Sequence, residues 1–272
     1  MTLALTMEDA ASIPYVTPAE AEQLARVELD RLVALLESLE AADWAKPTAC
    51  VKWSVRDMTA HQAGSYASGT SYGELFRQYS AAAKPRQLPE DSINERQLAD
   101  RAGKSPDELI AEIKATGDAA VRNWAHGFRP LKALVVMPHP VPGWLSLRHL
   151  MLVIHSRDTW IHRLDICRAT GRPFEQTADH DGRITELVVL DLAKTLAKKL
   201  GGRAIALELD GIAGGIWRIG KGEPEATVRL DTLDFNIYAS GRTTPENAAR
   251  TATFSGDRSL AERAFRSLSV LY

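Results

Sequence analysis

Histidine and aspartate side chains recur at helical spacing in the segment from Leu147 to Thr170, which contains no glycine and no proline. Residues three or four positions apart lie on one face of an α-helix, and this face carries His155, Asp158, His162 and Asp165. Apolar residues flank the polar line on both sides, which predicts that part of it is buried. Buried imidazoles and carboxylates need partners, and a metal ion is a suitable partner for both.

A third candidate ligand comes from a different part of the chain. His61 lies one turn after the apolar Met58, close to the inward face of another predicted helix. Asp158 and His162 stand at i and i+4, so they could meet one ion, and His61 could reach it from across a helical bundle. Three nitrogen and oxygen ligands with an open position are typical of catalytic metal sites. Asp165 follows His162 by one turn and could orient its imidazole.

The residue pattern alone leaves two other interpretations open. An inward-facing histidine such as His61 can be a hydrogen-bonded core residue without any metal. An Asp/His pair at i and i+4 can be a solvated ion pair on a helix surface. Trp53 is assigned to packing, and Cys50 and Cys167 are interpreted as inert thiols because neither has a base nearby in the sequence.

Four long segments carry the apolar periodicity and the capping residues of helices. They are residues 17–40, 54–83, 105–125 and 146–170. Long helices joined by loops are typical of an antiparallel bundle, in which facing helices build metal sites in the core. A short helix is predicted for residues 93–103, and residues 127–144 are predicted to be irregular because they are rich in proline.

The pattern changes after Pro173 to a mixture of helices and period-two strands. Helices are predicted for residues 179–199, 233–240 and 259–268, and strands for 205–209, 212–219, 226–230 and 251–254. The predicted fold class is therefore α+β with two domains, a four-helix bundle over residues 15–173 that carries the candidate metal ligands and a small α+β domain over residues 178–272. Residues 1–12 have no basic region and are predicted to form a frayed tail, not a signal peptide.

Composition excludes several classes of function. The formal net charge is −2 with both signs interspersed, and no basic stripe with interleaved aromatic residues indicates nucleic-acid binding. No run approaches the roughly 20 apolar residues that cross a bilayer. Two cysteines without a CxxC motif are typical of a reducing cytoplasm. Two cysteines are also too few for a zinc knuckle, so any metal site is expected to consist of histidines and carboxylates.

The bundle half resembles the mycothiol-dependent maleylpyruvate isomerase family, a branch of the DinB-like metal-binding bundles. The similar segments are PTACVKW, WSVRDMTAHQAG and DTWIHRLDICRATGRP. The second half resembles the sterol-carrier-protein-like domain that follows the bundle in this family, through the segments GIWRIGKG, LDFNIYASGRTTPE and TFSGDRSLAERAFRSLSV. The resemblance covers residues 17–272.

This resemblance implies that His61, Asp158 and His162 bind a divalent metal ion. The sequence departs from the isomerase pattern at Asp158, because that family has glutamate there. An aspartate is one methylene shorter, so the helices would have to approach more closely or a water would have to intervene. Zinc is the expected ion, although nickel, manganese and iron also suit nitrogen and oxygen ligands. Arg242 matches an arginine of the family and could bind a substrate carboxylate; the alternative is an ordinary helix-end cation.

The function implied is that of a cytoplasmic, divalent-metal-dependent enzyme that uses mycothiol or a similar small thiol. It would catalyse isomerisation or S-transfer on a small electrophile, as a monomer or homodimer, without nucleic-acid or membrane partners. Two alternatives remain. One is a non-catalytic binding protein that holds an apolar ligand in the C-terminal domain. The other is a DinB-like hydrolase whose metal activates water.

Overall fold

The chain forms two compact units, each with its own core. The computed structural model of the protein describes residues 6–82, 89–139 and 143–272. One unit comprises Thr17–Val136 and Ser146–Phe174, and the other comprises the segment that ends at Val16, Met137–Leu145 and Glu175–Tyr272. The first unit is helical and the second contains a mixed sheet with helices. The predicted two-domain α+β fold class is confirmed.

The described residues of the first unit form seven helices. They are α1 (Pro18–Glu37), α2 (Val55–Gly69), α3 (Tyr72–Ala82), α4 (Pro89–Asp100), α5 (Pro106–His126), α6 (Arg129–Leu134) and α7 (residues 147–170). Capping boxes begin α1, α2 and α5, which explains why these starts were visible in the sequence. The long helices α1, α2, α5 and α7 pack against one another as a bundle. Within the described ranges, no helix combines the length and apolar character needed to cross a bilayer.

The bundle core is apolar apart from a few paired polar groups. Leu32, Met58 and Ile113 are fully buried. An ion pair joins α1 to α7 inside this core: the guanidinium of Arg163 donates from Nε to Glu28 Oε2 at 3.0 Å and from Nη2 to Oε1 at 3.2 Å. Both side chains are buried, so the pair depends on this two-pronged geometry to offset the loss of hydration.

Three local predictions for the bundle differ from the structure. The predicted helix 54–83 is interrupted after Gly69, where α2 ends and α3 begins at Tyr72; residue 83 lies outside the described residues. The stretch 127–144 is not wholly irregular, since it contains α6 and part of a hairpin of β2 (Val136–His139) and β3 (Gly143–Ser146). Residues 140–142 lie outside the description. Helix α7 includes a π-helical segment, Leu150–Ile154, before the regular α-helix His155–Thr170.

The second unit is built on a five-stranded mixed sheet. Its strands are β1 (Glu8–Asp9), β4 (Ala204–Asp210), β5 (Gly215–Gly220), β6 (Pro224–Asp231) and β7 (Thr253–Gly256), in the order β1-β5-β4-β6-β7. The central strand β4 pairs antiparallel with β5 and parallel with β6. The helices of this unit are α8 (Ala178–Lys199), α9 (Thr232–Ala239), α10 (Pro245–Ala248) and α11 (Arg258–Phe265).

The N-terminal segment is part of this sheet. Strand β1 pairs in parallel with β5, with Glu8 opposite Trp217 and Asp9 opposite Arg218. The side chains of Asp9 and Arg218 also form an ion pair. The predicted frayed tail is therefore wrong from Glu8 onwards, while residues 1–5 lie outside the described residues. The pairing joins residues about 200 positions apart, which no local pattern reports.

Candidate metal centre

Two histidines of the bundle converge on one carboxylate. His61 on α2 places its Nε2 atom 3.3 Å from Asp158 Oδ2, and His162 on α7 places its Nε2 atom 3.2 Å from Asp158 Oδ1. The three candidate donor atoms lie within 4.8 Å of one another. The shorter aspartate thus reaches both imidazoles directly, and no bridging water is needed.

Local structure explains this convergence. The π-helical segment of α7 ends at Ile154, so Asp158 and His162 lie on regular α-helix and face the same way one turn apart. The capping box of Ser54 and Asp57 sets the start of α2, and His61 follows in its second turn. The side chains of His61 and His162 are 8% and 7% exposed, whereas that of Asp158 is 18% exposed. The cluster therefore opens to solvent on the Asp158 side.

The Nδ1 atoms of both imidazoles are engaged on the far side of the rings. His61 Nδ1 lies 2.7 Å from Gln97 Oε1, and His162 Nδ1 lies 3.3 Å from Asp165 Oδ2. Both partner oxygens accept, so each Nδ1 carries a proton, and each Nε2 faces Asp158 as the position for a cation, either a metal ion or a second proton. Asp165, which the sequence suggested as an orienting group, occupies that position.

The donor chemistry of this cluster fits a divalent ion. Two imidazole lone pairs and an ionised carboxylate cannot face one another at about 3 Å without a cation, whether protons or a metal, between them. Burial opposes charge here, but attraction and hydrogen bonding between Asp158 and the two imidazoles outweigh it. The pKa of Asp158 is consequently held well below its usual range, and the pKa of His162 well above. When no metal is bound, a proton on His162 takes the place of the cation.

Two buried residues that sequence reasoning missed hold the carboxylate in place. Gln62 Nε2 donates to Asp158 Oδ2 at 2.7 Å, and Thr159 Oγ1 donates to Gln62 Oε1 at 3.0 Å. Neither residue has a spacing signature, because Gln62 directly follows His61 and Thr159 directly follows Asp158. Adjacent helix residues point in different directions, so only the packing of α2 on α7 brings these groups together.

The loop before α2 covers the cluster. It is closed by hydrogen bonds from Thr48 N to Trp53 O at 3.0 Å and from Trp53 N to Cys50 O at 2.7 Å. The indole ring of Trp53 lies 5.1 Å from the His61 ring and 5.9 Å from the His162 ring, between centroids. Trp53, assigned from sequence to packing, thus packs on the candidate ligands themselves.

Cys50 also lies beside the cluster. Its side chain hydrogen-bonds His162, and its sulfur groups with donor atoms of His162 and Asp165 within 4.8 Å. No base stands near Cys50 in the sequence, because the imidazole that meets it comes from a helix about 110 residues later in the chain.

His155 belongs to a separate polar group of the bundle. Its ring stacks on Trp124 with centroids 4.3 Å apart and an angle of 7° between the planes, and its Nδ1 lies 3.2 Å from Ser65 Oγ. Burial lowers the pKa of His155 to about 4, so the imidazole is neutral at physiological pH. The structure does not bring it into the group of His61, Asp158 and His162.

Arg242 lies in the second unit, just after the end of α9. Gly241 adopts a left-handed φ of 76°, and the amide of Arg242 donates to Ile237 O at 3.0 Å, which is a Schellman motif. The side chain is half-buried, with Nη1 3.5 Å from Ser240 O. This backbone motif fixes the direction in which the Arg242 side chain leaves the main chain.

The fold and the cluster together define the class of protein: a two-unit α+β chain whose helical bundle carries a candidate metal centre. A family model described as "Mycothiol maleylpyruvate isomerase N-terminal domain" matches residues 25–167, which is more than half of the chain. The protein belongs to this family, which is named for an enzyme, and the resemblance identified from its motifs is confirmed.

Solved structures show the same architecture over nearly the whole chain. The crystal structure of the mycothiol-dependent maleylpyruvate isomerase is similar with a TM-score of 0.57 and 17% identity, covering 92% of this chain and 96% of that one. A histidine-to-alanine mutant of that enzyme gives a TM-score of 0.56 and 18% identity over the same shares. No curated protein sequence is significantly similar. At this level of identity, the likeness shows the fold.

Proposed function

We propose that the protein is a divalent-metal-dependent enzyme that uses mycothiol or a similar thiol to isomerise a small electrophile. The observation that carries the proposal is the convergence of His61, Asp158 and His162 with both Nδ1 atoms already engaged. A divalent ion held there would supply Lewis acidity, which lowers the pKa of a bound thiol. We propose zinc, since imidazole and carboxylate ligands with an open position suit it.

The residues around the cluster would keep the ligands in place and limit the access of water. Gln62 and Thr159 hold the carboxylate of Asp158, so its two oxygens stay directed at the two imidazoles. The indole of Trp53 covers both rings and shields them from bulk water. The more exposed Asp158 side leaves an approach for a small thiol and its electrophile.

We further propose that Arg242 binds a carboxylate of the substrate. The related crystal structures are of an enzyme that acts on maleylpyruvate, and a substrate of this kind carries carboxylate groups. A guanidinium binds a carboxylate through two parallel hydrogen bonds, which a lysine cannot reproduce. Arg242→Lys should therefore raise KM more than it lowers kcat. A free thiol cofactor also requires a reducing compartment, so the proposal includes a cytoplasmic location.

Metal analysis of untagged protein tests the proposal first. We expect about one divalent ion per chain in the wild type, as in other three-ligand sites. The ion should be lost in both His61→Ala and His162→Ala. His155→Ala is the matched control, because His155 lies on the same helix as His162 but outside the cluster. A wild type that stays metal-free after zinc is supplied would refute the enzyme proposal and favour a search for apolar ligands.

The metal-loaded protein is then supplied with mycothiol and maleylpyruvate. Isomerisation should consume no thiol, because the thiol that adds to the conjugated double bond leaves again after the bond rotates. Stable incorporation of the thiol into the product would indicate S-transfer. Product formation at the same rate without any thiol would instead indicate chemistry by activated water.

A further inference from the structure

A chain of side-chain amides lies behind His61. His61 Nδ1 contacts Gln97 Oε1 at 2.7 Å, and Gln97 Nε2 donates to Gln78 Oε1 at 2.9 Å. Gln78 Nε2 then donates to Gly64 O at 3.1 Å and to Glu74 Oε1 at 3.0 Å. Both glutamines are buried. The chain links three helices, α2, α4 and α3, in the bundle unit.

The far end of this chain determines the direction of every hydrogen bond in it. Gly64 O and the carboxylate of Glu74 can only accept, so Gln78 must present its NH2 group to them. The Oε1 atom of Gln78 then faces Gln97, which must present its own NH2 group in turn. Gln97 therefore presents Oε1 to His61, and the Nδ1 atom of His61 must carry a proton.

Gly64 provides the space for this arrangement. A Cβ atom at position 64 would lie 2.4 Å from Gln97 Cγ and 2.6 Å from Gln97 Cβ. The Gln97 side chain therefore lies flat against the backbone of α2, within one turn of His61. A glycine inside a helix costs about 0.5–1 kcal/mol relative to alanine. Here it allows a close approach that any side chain would prevent.

We propose that Gln97, oriented by Gln78, is a positioning residue that holds His61 as the Nδ1–H tautomer. The Nε2 lone pair of His61 then stays directed at the cluster, ready for a metal ion. Without this hydrogen bond the imidazole could carry its proton on Nε2, which would turn a ligand atom into an N–H group. The inference deepens the proposed metal-binding function and rests on it.

Two substitutions at one position separate positioning from packing. Gln97→Met keeps a similar volume but removes the acceptor, whereas Gln97→Glu keeps an acceptor for the Nδ1 proton of His61. Glutamate cannot donate to Gln78 Oε1, so it should destabilise the fold more than methionine does. Thr59→Val is the matched control, because buried Thr59 on α2 donates only to Val55 O in its own helix.

Three measurements are made on each full-length variant. Imidazole 15N NMR at pH 8 on metal-free protein reports the tautomer of His61, chelator competition reports zinc affinity, and urea unfolding reports stability. We expect Gln97→Met to lose roughly 10–100-fold in zinc affinity and to lose the single Nδ1–H tautomer. Gln97→Glu should retain both properties in spite of lower stability. Thr59→Val should lose stability alone.

The inference is overturned if Nδ1 of His61 carries no proton in metal-free wild type, a result that needs no variant to fold. It is also overturned if Gln97→Met keeps the zinc affinity of the wild type, or if Gln97→Glu loses as much zinc affinity as Gln97→Met does. A wild type with the Nδ1–H tautomer that binds no zinc would refute the proposed function instead. The NMR readout therefore distinguishes the two failures.

Discussion

Zinc affinity should fall steeply as the pH is lowered through the neutral range. The pKa of His162 is raised well above its ordinary value of 6.5, mainly by Asp158, so the metal-free cluster holds a proton there at neutral pH. That proton occupies the Nε2 lone pair that the metal ion needs. The pKa of Asp158 is lowered, so the carboxylate stays ionised and releases no proton. Metal binding must therefore release the proton of His162.

The size of the effect follows from this count of one displaced proton. Below the pKa of His162, each unit of pH should change the dissociation constant about tenfold, or roughly 1.4 kcal/mol. Affinity falls as the pH falls, because protons compete with the metal for the same atom. Asp158→Asn removes the charge that raises the pKa of His162, so it should weaken binding at pH 7.5 and also flatten the pH dependence.

Competition with a chelator of known proton affinity, at several pH values from 6 to 7.5, measures the slope. Calorimetry in buffers with different ionisation enthalpies counts the released proton independently. The reasoning fails if wild-type zinc affinity is the same at pH 6 and pH 7, because zinc would then displace no proton from His162. A slope in Asp158→Asn as steep as that of the wild type would exclude Asp158 as the cause.

Three further predictions concern stability, each measured by urea unfolding. Burial lowers the pKa of His155 to about 4 from 6.5, so the unfolded chain binds a proton at this site more readily than the folded protein does. Between pH 7 and pH 5 the free energy of unfolding of the wild type should therefore fall by about 2 kcal/mol more than that of His155→Phe. An equal loss in both proteins would contradict this. Arg163→Met removes the partner that donates two hydrogen bonds to buried Glu28, and it should lower the free energy of unfolding by about 3 kcal/mol. Adding Glu28→Leu should restore much of this loss. A loss below about 1 kcal/mol for Arg163→Met would show that the pair contributes little. Gly69→Ala should cost about 1–3 kcal/mol because its Cβ would lie 2.4 Å from an indole nitrogen. Gly73→Ala, whose Cβ would have its nearest neighbour, Ser71 Oγ, at 3.8 Å, is the control and should be neutral or slightly stabilising.

The sequence by itself determined the features that depend on local rules. Capping boxes at Thr17, Ser54 and Ser105 specify where three bundle helices begin, because each side chain bonds an amide three residues later. The i,i+4 spacing of Asp158 and His162 specifies that both face one way on α7. The two-domain fold class and the family also followed from patterns and motifs, and both are confirmed. The metal role of the cluster and the role of Arg242 stay predictions, which the experiments above test.

Only the tertiary structure decided which distant groups meet. The pairing of β1 with β5 and the amide chain behind His61 both depend on neighbours far away in the sequence. Gln97 has no spacing relation to His61, since the two are 36 residues apart on different helices. Periodicity reports which face of an element is buried, but not which partner it is buried against. The candidate ligands and the orienting Asp165 were therefore visible in the sequence, while Gln62 and Gln97, which come from other helices or faces, required the fold.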